Sequence, residues 1–185
     1  MTLSLFFIQR EKKETKPMNF YQIRECDVAN GPGCRATIFV TGCNNHCEGC
    51  FNVKIQDFES GNRFTRADQE RLFSAVRLPQ ISGLSVLGGE PLDPNNIMPV
   101  LALLTDFRKH VGWDKTVWLW TGYTYESEWF QSIKDSIMPL VDVIVDGPFV
   151  MALKNLSLQF RGSSNQRLID CKKTLEAGKV VEWNG

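Results

Sequence analysis

Three of the six cysteines, Cys43, Cys47 and Cys50, stand in a C-x3-C-x2-C spacing inside one loop running from Thr41 to Asn52. The apolar run Ala36-Thr37-Ile38-Phe39-Val40 leads into it, so a strand would end where the thiols begin. Thiols this close in sequence suit convergence on a metal better than packing in a core or pairing as disulfides. A closed structural zinc site takes four ligands. The loop's one histidine, His46, is enclosed between Cys43 and Cys47, poorly set to join them on one tetrahedral ion, and reads as a solvated loop residue. A [4Fe-4S] cube on three cysteines leaves one iron without a protein ligand, and an open position separates a reactive centre from a structural one. A zinc-binding interaction module stands as the non-enzymatic alternative.

Further candidates recur where apolar runs end. Leu84-Ser85-Val86-Leu87 runs into Gly88-Gly89-Glu90-Pro91, a stretch whose missing side chains would let backbone approach a ligand. Glu90 would either orient a ligand amino group or cap the following turn. Thr116 to Trp120 ends at Thr121-Gly122-Tyr123, and Val141 to Val145 ends at Asp146-Gly147. Asp146 is open between bonding ligand hydroxyls and forming an Asp-Gly turn. Arg161 is open between a carboxylate of a ligand or partner and a structural salt bridge. Cys26 and Cys34, flanking the turn Asn30-Gly31-Pro32-Gly33, read as buried or idle.

The elements that must position these residues alternate in type. An edge strand is expected over Phe20 to Asp27 and a buried one over Ala36 to Thr41. A helix capped by Thr65, with Asp68 at the capping-box position, would bury Leu72, Phe73, Val76 and Leu78 before Pro79. A second helix is expected over Pro94 to His110, with Ile97, Val100, Leu101, Leu104 and Phe107 inward and Met98 in the core or at its rim. A third spans Tyr125 to Met138, followed by a short helix from Phe149 to Asn155 and a strand from Leu156 to Arg161. Strand-helix repetition of this kind calls for an α/β fold with mainly parallel strands, and its ligands bind at the strands' C-terminal ends. Four or five βα units are too few for a closed eight-stranded barrel, so a partial, open βα barrel is expected.

The 185 residues are 43% hydrophobic and 23% charged, with a formal net charge of zero. That length suits one domain able to bury roughly 70% of its unfolded surface. Without a basic stripe, neither nucleic acid nor an anionic membrane is an expected partner, and no run reaches the ~20 apolar residues of a membrane helix. Cysteines set out as ligands favour a reducing cytoplasm. Residues 1–17, a short apolar run and then charges, lack the features of a signal peptide and read as an extension. The working domain is expected over 18–170, with 171–185 as a tail or a hairpin around Glu176-Ala177-Gly178.

The cysteine spacing resembles the cluster loop of the radical S-adenosylmethionine (SAM) superfamily, and Gly88-Gly89-Glu90-Pro91 resembles its SAM-methionine motif. Asn30-Gly31-Pro32-Gly33, Cys50-Phe51-Asn52, Trp120-Thr121-Gly122-Tyr123 and Arg161-Gly162-Ser163-Ser164-Asn165-Gln166, in that order, narrow the likeness. Together they resemble the anaerobic ribonucleoside-triphosphate reductase activating proteins, glycyl-radical activases, from about Met18 to Gln166. The resemblance implies a radical-SAM partial barrel in which Cys43, Cys47 and Cys50 hold a [4Fe-4S] cluster. It implies SAM contacts from Gly49, Cys50, Phe51, Asn52, Gly88, Gly89, Glu90, Thr121 and Asp146. Many superfamily members carry an aromatic residue just before the third cysteine; here Gly49 stands there, and the adenine-packing role passes to Phe51. The implied partners are the large reductase subunit, whose glycine would receive the radical, and an external one-electron donor such as a flavodoxin. Another glycyl-radical enzyme or a small substrate is the alternative target.

Overall fold

In a computed structural model, residues 17–185 form a mixed α/β fold; the expected extension therefore lies, but for Pro17, outside the described residues. In chain order the elements are β1 (Asn19–Asp27), β2 (Cys34–Val40), β3 (Asn62–Arg63), α1 (Arg66–Val76), β4 (Ile81–Gly88) and α2 (Ile97–His110). Then come β5 (Thr116–Trp120), α3 (Glu128–Ile137), β6 (Val143–Asp146), β7 (Arg167–Asp170) and α4 (Cys171–Ala177). The strands make one open sheet in the order β3-β1-β2-β4-β5-β6-β7. Its middle, β2-β4-β5-β6, is parallel because α1, α2 and α3 supply the crossovers. β1, β3 and β7 join antiparallel at the flanks.

Period-two alternation divides the parallel strands between two faces. Ala36, Ile38, Val40, Leu84, Val86, Val117, Leu119 and Ile144 meet the apolar sides of the helices in the main core. On the other face Phe39 and Leu87 pack with Ile55 and Trp120, beside a second cluster of Trp118, Val143, Val145 and Leu168. Arg35 is fully buried on this face. Its guanidinium donates to Ser85 Oγ, Leu84 O, Thr116 O and Thr116 Oγ1 at 2.8–2.9 Å. Burial lowers its pKa to about 10, against the opposing field of Asp142.

The capping box of α1 forms as expected: Thr65 Oγ1 accepts from Asp68 N, and Asp68 Oδ2 accepts from Thr65 N. Elsewhere side-chain caps moved the expected boundaries. α2 begins at Ile97 rather than Pro94 because Asp93 takes the amide of Asn95 and turns the chain first. α3 begins at Glu128 because Ser127 is its cap. Leu78 and Met98 are exposed, Leu101 is half-buried, and Leu103 fills the core position instead. The helix expected after Phe149 is one 3-10 turn, Met151–Leu153.

No strand forms over Leu156 to Arg161. Asn155 Oδ1 takes the amide of Ser157, and Phe160 sits at φ 60, so the segment is irregular. The last strand is β7, paired with β6 through Ile144 and Ile169. The expected terminal hairpin is a helix, because Asp170 caps Lys173 N and starts α4 before Gly178 can turn the chain. The return lies beside β7, with Asp170 N donating to Val181 O and Trp183 N to Leu168 O. Cys26 and Cys34, expected to be buried or idle, are joined as a disulfide across β1 and β2, with Cα atoms 5.4 Å apart. Among the described residues no helix is long and apolar enough to cross a membrane.

Candidate cofactor site at the strand ends

β2 and β4 end side by side, Val40 opposite Gly88, which brings the cysteine loop against the Gly-Gly segment. Backbone bonds of 2.8 Å fasten the junction, from Gly89 N to Val40 O and from Glu90 N to Gly42 O. A Cβ on Gly88 would come within 2.5 Å of Val40 O, and one on Gly89 within 2.4 Å of Gly42 O. These glycines are therefore required by backbone packed on backbone, a demand distinct from the expected approach of a ligand.

The loop is held at both ends. Gly42 N donates to Ile55 O and Cys43 N to Gln56 O, each at 2.8 Å. Between them His46 (φ 44) and Gly49 (φ 68) adopt left-handed backbone, turning the chain between successive thiols. His46 is exposed and its ring meets Gln56 Oε1 at 3.2 Å. Asn52 joins loop to strand end: its amide N–H points to Cys50 Sγ at 3.3 Å, and its side chain donates to Gly88 O at 2.9 Å.

Cys43, Cys47 and Cys50 are free, half-buried, and line one cavity of about 440 Å³. Gly88, Gly89, Glu90 and Thr121 line it too, as do Phe51 and Asn52. Its floor is the sheet face bearing Phe39, Leu87 and Trp120, and its far wall comes from the segment 147–166. Gly49 and Asp146 do not line it.

Glu90 is almost fully buried and its carboxylate is saturated. Oε1 accepts from Leu92 N at 2.9 Å and Thr121 Oγ1 at 2.7 Å; Oε2 accepts from Gly122 N at 2.6 Å and Asn45 Nδ2 at 3.1 Å. One side chain thus ties its own turn, the end of β5 and the cysteine loop together. Burial pushes its pKa up to about 7, against those four donors, which pull it down. Asp146 is equally buried, but its oxygens are taken by Tyr125 N and by Arg167, which also pairs with Glu126. That pairing lowers the Glu126 pKa and raises that of Arg167.

A strap of residues, 147–158, lies over the cysteine loop. Phe149 meets the Phe51 ring at 5.5 Å, the Lys154 ammonium sits 5.0 Å from that ring, and Met151 packs where a Cβ on Gly49 would be. The Arg161–Gln166 loop fastens the strap. Ser163 Oγ accepts from Val150 N, Asn165 donates to Pro148 O, and Gln166 donates to Gly147 O while accepting from Gly162 N and Ser163 N.

The donor set fits an iron–sulfur cube. Cys43, Cys47 and Cys50 bring three free thiols of one loop to one cavity, and a cube binds each thiolate to a different iron. Burial lifts the Cys43 thiol to about 11, with a lesser push from Glu90, Cys47 and Cys50, so taking up iron must release a proton there.

Residues 29–169 match the family model of a 4Fe-4S single cluster domain, a span containing every residue that lines the cavity. An anaerobic ribonucleoside-triphosphate reductase-activating protein of Vibrio cholerae is 38% identical over 151 residues, 80% of this chain and 96% of the relative. The protein of the same name from Escherichia coli K12 has the same identity and coverage. That of Enterobacteria phage T4 is 40% identical over 152 residues, 82% of this chain and 93% of its own. The chain belongs to the family of anaerobic ribonucleoside-triphosphate reductase-activating proteins. Within this family chain, the residues that sequence reasoning passed over are the fasteners: Asn45, Asp93, Asn96 and the strap residues Phe149 and Met151. Asn96 donates to the carbonyls of Thr41 and Glu90, and Asn44 to Asp93. Their one sequence signal is the asparagine pair inside the cysteine loop.

Proposed function

We propose that the protein activates an anaerobic ribonucleoside-triphosphate reductase as a radical-SAM enzyme, its open sheet serving as the superfamily's partial barrel. In this reading residues 18–170 are the working domain, acting with an external donor such as a flavodoxin in a reducing cytoplasm, where Cys26 and Cys34 would stand as a pair of thiols. Cys43, Cys47 and Cys50 hold a [4Fe-4S] cluster, and SAM lies in the cavity beside them. The observation that carries the reading is that three free thiols of one loop line the same cavity as the Gly88-Gly89 strand end. When bound, a cluster reduced by the external donor would supply one electron to the sulfonium of SAM, releasing methionine and a 5'-deoxyadenosyl radical that would take a Cα hydrogen from a glycine of the reductase.

The chain's own residues bind, orient and shield. Asn52, by bonding Gly88 O and reaching Cys50 Sγ, sets the third thiolate relative to the strand end and tunes its electron density. Gly88 and Gly89 offer backbone to the methionyl amino group of SAM, while Glu90 and Thr121, bonded to each other, keep that strand end and β5 in register. Phe51, with one face toward Phe149, offers its ring to adenine, and Gly49 keeps Met151 close above the loop. Asp146 acts at one remove, holding Arg167 and the turn at Tyr125. Phe39, Leu87 and Trp120 make a dry floor that keeps water from the reacting atoms.

Iron and sulfide analysis of anaerobically prepared protein, with SAM cleavage under dithionite, tests the reading. Cluster and cleavage are expected in the wild type and neither in Cys47→Ala. Incubation with SAM and the reductase should give a glycyl doublet in the reductase's paramagnetic spectrum. Stoichiometric zinc without iron, or cleavage surviving in Cys47→Ala, would overturn it.

A further inference from the structure

Arg161 is the one Lys, Arg or His side chain on the cavity wall among the described residues. Its neighbours in the Arg-Gly-Ser-Ser-Asn-Gln loop spend their polar groups holding the strap: Ser163 on Val150, Asn165 on Pro148, Gln166 on Gly147. Arg161 itself makes one bond, from Nη1 to Gln166 O at 2.7 Å, which fixes the guanidinium in place. Its Nε is buried and has no acceptor.

The other buried or half-buried arginines behave differently. Arg35 uses all three nitrogens on four acceptors, Arg108 pairs with Asp142 and the carbonyls of Leu140 and Lys115, and Arg167 spans Asp146 and Glu126. A buried N–H left unpaired is costly, and guanidinium is the side chain whose planar fork matches a carboxylate. A fixed guanidinium with donors unspent on protein, on the wall of a cavity whose one other charged side chain, Glu90, is already bonded to four donors, is shaped for an anion.

We infer that Arg161 is a carboxylate-binding residue of the cavity. The inference rests on the proposed function, which supplies two sources of that group: the methionyl carboxylate of SAM and an acidic group on the reductase. SAM is the favoured source, since its other groups already face this cavity in that reading.

Equilibrium dialysis with cluster-reconstituted protein measures binding of SAM and of its carboxyl methyl ester to wild type, Arg161→Gln and Arg161→Lys. Iron and sulfide content serve as the folding control. Arg161→Gln should weaken SAM binding by about ten- to a hundredfold, leave ester binding little changed, and be partly rescued in Arg161→Lys. Unchanged SAM binding with weakened association of the reductase, measured by sedimentation, would assign the carboxylate to the reductase. Equal losses for SAM and ester, or no loss in either arm, would overturn the inference. Should Arg161→Gln fail to fold, Arg161→Lys against the two ligands decides alone: a loss confined to SAM supports the inference and an equal loss sinks it. A wild type that takes up no cluster and binds no SAM refutes the proposed function instead, a result distinct from any of these.

Discussion

Glu90 Oε2 accepts from Asn45 Nδ2 at 3.1 Å, so the carboxylate that follows the Gly-Gly pair reaches into the cysteine loop itself. The same oxygen takes Gly122 N, and its twin takes Leu92 N and Thr121 Oγ1. Glu90→Gln turns an NH2 toward donors. It should destabilise the fold by about 1–3 kcal/mol and lower the iron retained after reconstitution. Urea unfolding and iron analysis measure the two effects, and a variant equal to wild type in both would free Glu90 of this role.

The same carboxyl makes stability depend on pH. Its folded pKa, about 7, lies above the ordinary 4.5, so folding takes up a proton. Its contribution is fully present below about 4.5 and is lost as pH rises through about 7. Urea unfolding of metal-free protein across that window should show the decline, and Glu90→Gln should flatten it.

Gly89→Ala places a methyl 2.4 Å from Gly42 O, a backbone atom that no rotamer change can move. The strand end and the cysteine loop must part. A loss on the order of 2–4 kcal/mol is expected, read as a lowered urea midpoint. A midpoint within error of wild type would show that the junction yields freely.

Gln166→Leu removes the acceptor for Gly162 N and Ser163 N and the donor to Gly147 O. The strap should open while the main core stays folded. Hydrogen exchange over 147–158 is expected to quicken well before that over β2 and β4; uniform acceleration would contradict a local fastening.

Cys26 and Cys34 do not line the cavity. Replacing both with alanine should leave iron and sulfide content unchanged, whereas Cys43→Ala should lower it. A fall in the paired variant would enrol the disulfide cysteines as ligands.

The parallel centre of the sheet was legible in sequence because each strand is a β-branched, apolar run ending in glycine, and the crossover helices carry clean periodicity. The cysteines and Gly88-Gly89 were legible as a spacing and as a position after strands. What escaped were relationships between distant side chains. Nothing local marks Asn45 as a partner of Glu90, or Ser163 as the anchor of Val150. Leu156 to Arg161 has the composition of a strand, yet Asn155 and the Gln166 clasp turn it into irregular chain. Cys26 and Cys34 meet only because β1 and β2 pair antiparallel, a register that their eight-residue separation does not dictate.

The sheet's flanks carry a consequence for how any second protein can approach. One margin ends in the two-residue β3, and beyond β7 runs the return segment, with Glu182 bridged to Ile169. The return segment covers β7, so strand addition is blunted on that side, whereas β3 pairs only with Asn19 and Phe20 and leaves the margin of β1 from Tyr21 to Asp27 without a strand partner among the described residues. A partner that adds a strand has that one margin to use, and one that approaches the loops instead meets the exposed apolar side chains Phe51, Met151 and Leu156.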